Sequence, residues 1–282
     1  MSHIIACIDG SIYTHSVLDH AAWAAQKLSA SIEVLQVLGR REVAPTDLSG
    51  NISVDTQQHL LNELAQLDAQ RAKLIQQRAR MIMDDARLRL SSAGVQNVTT
   101  VLRNGDLLET LSDRETSADI IVIGKRGEAA DFASAHLGSN LERVVRASHR
   151  PILVASRAFT PIRKALVAFD GGPSVLKAVD ALSRSQLMRD VDIHFVFVGS
   201  ETVEVRRRLE GAVAQLGGGG HRAAFRFESG VPDKAIAGIV EAEQMNLLIM
   251  GAYGHSRIRR LLIGSTTTEM VRSCKVPVLL FR

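Results

Sequence analysis

The chain is 282 residues long, a length that fits two domains of the usual ~100–200 residues. Nearly half its residues (46%) are apolar and only 4% aromatic, while 34 basic and 30 acidic residues leave a net charge of +4. This composition excludes a Lys/Arg-rich nucleic-acid surface interleaved with aromatics, a disulfide framework, since there are two cysteines, and a membrane span, since no apolar run approaches ~18 residues.

The segment MSHIIACIDG turns acidic too early for a secretory signal, so a soluble cytoplasmic protein is expected. The first predicted strand lies near 3–9 and ends in Asp9-Gly10-Ser11. Cys7 inside this run reads as a small core residue. A helix containing Trp23 follows, then a strand near 31–37 that ends at Val37. Arg40–Asn51, with Pro45 and Gly50, reads as an exposed loop. The pattern next predicts a long helix from about Thr56 to Ser92. Leu60, Leu64, Leu67, Leu74, Ile75, Met81, Ile82, Leu88 and Leu90 give it an apolar stripe. That helix is a candidate surface for a homodimer. Strands near 97–103, 119–124 and 151–156 complete the unit. Between the last two stand Gly124-Lys125-Arg126-Gly127, ten residues, and Gly138-Ser139.

After a break at Phe159-Thr160-Pro161 the order begins again. Ile4–Ser11 matches Ala165–Gly172, Ala118–Gly124 matches Met245–Gly251, and His149–Val154 matches Lys275–Leu280. Four matches in one order, with Arg103-Asn104-Gly105 against Glu228-Ser229-Gly230 as the fourth, mark an internal repeat. The second unit has strands near 164–170, 191–198, 223–228, 246–251 and 277–281. Its middle helix is short, about Glu204–Leu216, and the glycines 217–220 behind it read as a helix-ending turn. Alternating strands and helices imply parallel sheets with right-handed crossovers. The expected architecture is α/β: two tandem Rossmann-like domains, 1–157 and 163–282, each a five-stranded parallel sheet of order 3-2-1-4-5. The domains are expected to pack through their fifth strands, Ile152–Ser156 against Val278–Phe281, as an intramolecular pseudo-dimer.

In such a sheet a ligand binds beyond the strand ends where the order reverses. There Asp170, ending the first strand of the second unit, meets Gly251, ending the fourth. The loop runs Gly251-Ala252-Tyr253-Gly254, nine residues, then Gly264-Ser265-Thr266. Glycines let a backbone approach phosphate closely, and a helix starting at Ser265 offers free N–H groups to an anion. His255, Arg257, Arg259 and Arg260 add cationic character. A bland reading treats the same residues as turn glycines and an N-cap. Walker, nucleophile-elbow, Cys-x2-Cys and Gly-x-Gly-x-x-Gly signatures are absent from the sequence.

Gly-x2-Gly-x9-Gly-Ser, with GAYGHSRIRRLLIGSTTTEMVRSCKVPVLLF, ACIDGS and VAFDGGPS around it, resembles the universal stress protein family over nearly the whole chain. The resemblance implies a protein that holds ATP, ADP or AMP, with or without Mg²⁺, and that acts as a sensor or adaptor rather than a fast catalyst. It assigns adenosine contacts to Asp170 and Val198, and phosphate contacts to Gly251, Gly254, Gly264, Ser265 and Thr266. In the first unit it assigns Asp9, Val37, Gly124, Gly127, Gly138 and Ser139. That loop is one residue longer and carries Glu128 and Asp131, partly offset by Lys125 and Arg126, so it is expected to be the weaker site. The alternatives are a slow Mg²⁺-dependent ATPase or adenylyl-transferring enzyme, and a different small ligand in the first unit.

Overall fold

The computed structural model describes residues 2–39, 54–127, 138–252 and 265–282. Its first half runs β1 (His3–Ile8), α1 (Thr14–Leu28), β2 (Ser31–Leu38), α2 (Val54–Ser92), β3 (Val98–Asn104), α3 (Leu107–Ser112), β4 (Ile120–Gly124), α4 (Ser139–Ala147) and β5 (Ile152–Ala155). The second half repeats it as β6 (Lys164–Ala168), α5 (Pro173–Arg184), β7 (Asp192–Val198), α6 (Val203–Gly218), β8 (Ala223–Glu228), α7 (Pro232–Ala242), β9 (Leu247–Gly251), α8 (Ser265–Ser273) and β10 (Val278–Phe281).

Local chemistry sets these boundaries. The strands are short β-branched and Leu runs buried on both faces, such as Ile120–Ile123 and Leu247–Met250. Pro173 and Pro232 open α5 and α7 in the first turn, where a missing N–H costs nothing. The Asp106 side chain caps α3 by accepting from the N–H groups of Leu108 and Glu109, and Thr202 caps α6 through Val205 N–H. The glycine run ends α6, with Gly219 at its C-cap and Gly220 at φ +81°.

Strand order is β3-β2-β1-β4-β5-β10-β9-β6-β7-β8. Two five-stranded sheets were expected from the sequence; the structure holds one continuous ten-stranded sheet. Every pair inside a half is parallel, but β5 and β10 meet antiparallel, with Leu153 opposite Leu279. The join is central and apolar: Leu153, Val154, Val278 and Leu279 are all buried. One core layer holds α1, α2, α5 and α6 residues, and the other α3, α4, α7 and α8 residues. Each layer runs through both halves. A side chain adds to the join, with Arg282 donating to Ala147 O at 3.0 Å.

The long helix departs from its expected single stripe. Ala79, Met83, Ala86 and Leu90 form the face buried on the sheet. Leu60, Leu64, Leu67, Leu74, Ile75, Met81 and Leu88 are exposed instead. The predicted loop Arg40–Asn51 lies outside the described residues.

Candidate functional site

In each half the first strand lies between the second and the fourth, so crossovers leave in opposite directions and open a crevice at the carboxyl ends. In the first half this crevice is a cavity of about 280 Å³. Its lining includes six sequence-assigned residues: Asp9, Val37, Gly124, Gly127, Gly138 and Ser139. Asp9 sits in a turn, its Oδ1 accepting from Ser11 N–H at 3.0 Å. Gly10 follows at φ +79°, a conformation that favours glycine. A Cβ on Gly127 would lie 2.7 Å from Asp9 Oδ2, and one on Gly124 would lie 2.8 Å from Tyr13 Cβ. At Gly124 close packing therefore excludes a side chain, and at Gly127 the Asp9 carboxylate would have to shift to admit one. The first turn of α4 borders the cavity through Gly138, Ser139, Asn140 and Leu141. A helix start leaves N–H groups without intrahelical partners, which suits an anion.

The electrostatics differ from the sequence reading at one residue. Lys125 does not offset charge in the loop. It is buried and donates to the Cys274 carbonyl in the other half, and burial holds its ammonium below the usual lysine range. Arg126 lines the cavity. Glu128 and Asp131 lie outside the described residues. The Cys7 thiol is pushed up to about 12, mainly by burial and further by Glu33 and Asp9, so it stays protonated at neutral pH and supplies no nucleophile.

In the second half Asp170 makes the same kind of turn, accepting from Gly172 N–H at 2.8 Å. Val198 ends β7 and Gly251 ends β9, on either side of β6 and at the same sheet edge as Asp170. Ser265 opens α8, and Thr266 follows it, half-buried. Gly254, Gly264, His255, Arg257, Arg259 and Arg260 lie outside the described residues. Sequence reasoning missed Thr267. It is buried and its hydroxyl donates to Gly251 O at 3.0 Å, tying the start of α8 to the end of β9. Leu141 holds the same place in the first half, counted from Gly138 and Gly264. Tyr13, Thr14 and Leu107, which also line the first cavity, were missed too. The only signal for Tyr13 and Thr14 was their position just after the Asp-Gly-Ser turn.

A second opening in the first half lies on the α2 side of the sheet. This groove, of about 560 Å³, is walled by Ala72, Ile75, Arg71, Arg78, Ala79 and Ile82 of α2, and by Asp9, Gln36 and Val37. Gln36 is 3% exposed and its Oε1 has no hydrogen-bond partner among the described residues. A buried acceptor of this kind carries a desolvation cost of about 1–3 kcal/mol unless something donates to it.

No group of three or more His, Cys, Asp or Glu side chains capable of holding a metal occurs among the described residues. No helix among them is long and apolar enough to cross a membrane.

Comparison with known proteins agrees with this architecture. The model of the Universal stress protein family matches residues 1–156 and 199–282. The chain is 38% identical to Universal stress protein Slr1230 of Synechocystis sp. over the whole of both chains. It is 23% identical to Universal stress protein Rv1996 of Mycobacterium tuberculosis, covering 99% of this chain and 94% of that one. Among solved structures, a universal stress protein from Archaeoglobus fulgidus superposes with a TM-score of 0.74 at 20% identity, covering 99% and 98% of the two chains, which bears on the fold alone. With the family model matching well over half its length, the chain belongs to the universal stress protein family.

Proposed function

We propose that this protein binds an adenine nucleotide at the strand-order switch and serves as a sensor or adaptor in the stress response, the second half holding the tighter site. The observation that carries the reading is convergence. Asp9, Val37, two loop glycines and the Gly138-Ser139 helix start line one cavity, and the second half carries Asp170, Val198, Gly251 and Ser265 at the corresponding strand ends and helix start. A carboxylate repels bare phosphate. Asp9 and Asp170 would therefore receive N–H or O–H groups of the adenosine. The glycine loop and the starts of α4 and α8 would take the phosphates, with Gly254, Gly264 and Thr266 completing the second loop. Mg²⁺ would be carried largely by phosphate oxygens, as it usually is beside nucleotides. The second site is ranked tighter because its loop has the nine-residue spacing and lacks the two acidic residues of the first. Domain limits of 1–157 and 163–282, joined as a pseudo-dimer through β5 and β10, belong to the same reading.

A ligand that binds only the native state stabilises it. Millimolar ATP with Mg²⁺ should raise the melting temperature by several degrees, and an unchanged temperature would defeat the proposal. Slow ATP turnover is the alternative. It requires a Mg²⁺-dependent single-turnover rate that disappears in Asp170→Ala. A different small ligand in the first half is favoured by one observation, the groove in which the Gln36 acceptor is buried without a partner beside Arg71 and apolar α2 residues. Mass spectrometry of material released from the purified protein distinguishes these ligands.

A further inference from the structure

Helix α2 is 39 residues long, yet among its residues with described side chains Ala79 is the first to be buried. Every residue from 58 to 78 is exposed. A helix of that length with no packed face is marginal in water, because most helical stability in proteins comes from burying an apolar stripe. The exposed face is not polar. Leu60, Leu67, Leu74, Met81 and Leu88 recur at intervals of seven and are 36–72% exposed. At 100° per residue, Met81 points about 160° away from Met83 of the sheet-facing stripe. The helix is thus apolar on two opposite sides, one turned to its own sheet and one to solvent. A strict seven-residue spacing keeps one stripe aligned only when two helices wind around each other.

We infer that this outer stripe is a self-association seam, and that its occupant is the α2 helix of a second copy packed antiparallel about a twofold axis between Gln70 and Arg71. The charges select the occupant and the direction. Glu63 and Asp68 make the free N-terminal turns acidic, whereas Arg71, Lys73, Arg78 and Arg80 make the next stretch basic. A parallel pair would set Glu63 against Glu63 and Arg71 against Arg71. An antiparallel pair about Gln70/Arg71 sets Leu60 level with Met81, Leu67 level with Leu74, and Asp68 level with Lys73. The acidic turns then face the basic stretch. The same register lays the unsupported N-terminal half of each helix along the outer face of its partner's sheet-supported half. That gives the unsupported half a packed face.

Sedimentation equilibrium of the full chain over about 1–100 µM tests this. A mass twice the 30.6 kDa of one chain is expected. The double variant Leu67→Asp/Leu74→Asp should be monomeric at the same concentrations, with a circular dichroism spectrum that loses no more helix than the unsupported turns of α2, because both positions are exposed in the single chain. Asp68→Lys should weaken the dimer at least tenfold, and adding Lys73→Asp should restore it. Mixed Leu67→Cys and Leu74→Cys chains should cross-link to each other on oxidation, with little cross-linking of Leu67→Cys to itself; Cys7 and Cys274 are buried. A monomeric wild type at 100 µM, or a dimer indifferent to the double variant, overturns the seam. Efficient self-cross-linking of Leu67→Cys overturns the antiparallel register.

Discussion

The crevice at Asp9 and the crevice at Asp170 are built on one backbone plan and furnished differently. In both, an Asp-Gly turn ends the first strand and the carboxylate accepts a backbone N–H two residues on. Over that turn the first half places Ile82 of α2, and the second places Arg208 of α6. Aligned on their C-terminal caps, where Val95 N–H bonds Leu90 O and His221 N–H bonds Leu216 O, these are equivalent helix positions. At the residue before Val37 and Val198 the contrast is sharper. Gln36 is buried with an unpartnered oxygen. Its counterpart Phe197 packs edge-on to Phe227, and the Arg206 guanidinium lies 5.5 Å from the Phe227 ring centroid. The side chains that build the sheet are interchangeable apolar groups, so the repeat persists there. Side chains at the strand ends contribute less to stability and are the places where two copies of one fold can acquire different ligand preferences.

Predictions that break or sharpen this comparison begin at the junction, where the halves should behave alike. Leu153 and Leu279 are opposite one another and each 1% exposed. Leu153→Asp or Leu279→Asp should cost about 3–5 kcal/mol in chemical denaturation, as expected for an uncompensated buried charge with lost packing. Losses below ~1 kcal/mol would mean that the halves do not depend on the join.

The next difference is a pH response confined to the first half. His20 is fully buried, with Nδ1 donating to Ser16 O at 2.7 Å and Nε2 without a partner among the described residues. Burial is the largest influence on it and holds the imidazole below its ordinary value of 6.5. The unfolded chain therefore takes up a proton near pH 6.5 that the folded chain refuses. The stability this group permits is whole above that pH. It falls as the solution is acidified towards the folded value, by at most about 1.4 kcal/mol per pH unit. Denaturation midpoints between pH 7.5 and 5 should show the fall, and His20→Gln should flatten it. An identical pH slope in the variant would assign the response elsewhere.

The smallest effect is a cap exchange. Asp106 caps α3 and accepts from Arg143, which together hold its carboxyl below the usual range, with Arg143 the larger influence. Its counterpart Val231 gives α7 no side-chain cap. Asp106→Val should cost about 1 kcal/mol and Val231→Asp should gain a similar or smaller amount, read as opposite shifts in melting temperature. Shifts of the same sign would show that the two helix starts are not equivalent.

Much of this was legible in the residues. Strand runs, proline-opened helices and Asp-Gly turns are set by local sterics and apolar spacing, so their positions could be read directly. The crevice residues of the first half were legible because the repeat fixes their strand ends. What could not be read depends on contacts distant in sequence. The loop position of Lys125 gave no sign that its ammonium would reach the carbonyl of Cys274, 149 residues away. The Thr267 hydroxyl looked like one of several in a Ser-Thr run, and only the fold places it on Gly251 O. The stripe on α2 was visible, but periodicity does not say how far the sheet extends beneath a helix, so seven of its nine members are exposed rather than buried.

The measurement that bears most directly on the asymmetry of the two crevices is isothermal titration of ATP with Mg²⁺ into the wild type, Gly264→Asp and Gly127→Val. The account predicts a tighter site that disappears in Gly264→Asp and persists in Gly127→Val, where an added Cβ reaches within 2.7 Å of Asp9. Loss of the tighter site in Gly127→Val, with Gly264→Asp binding as the wild type does, would contradict it.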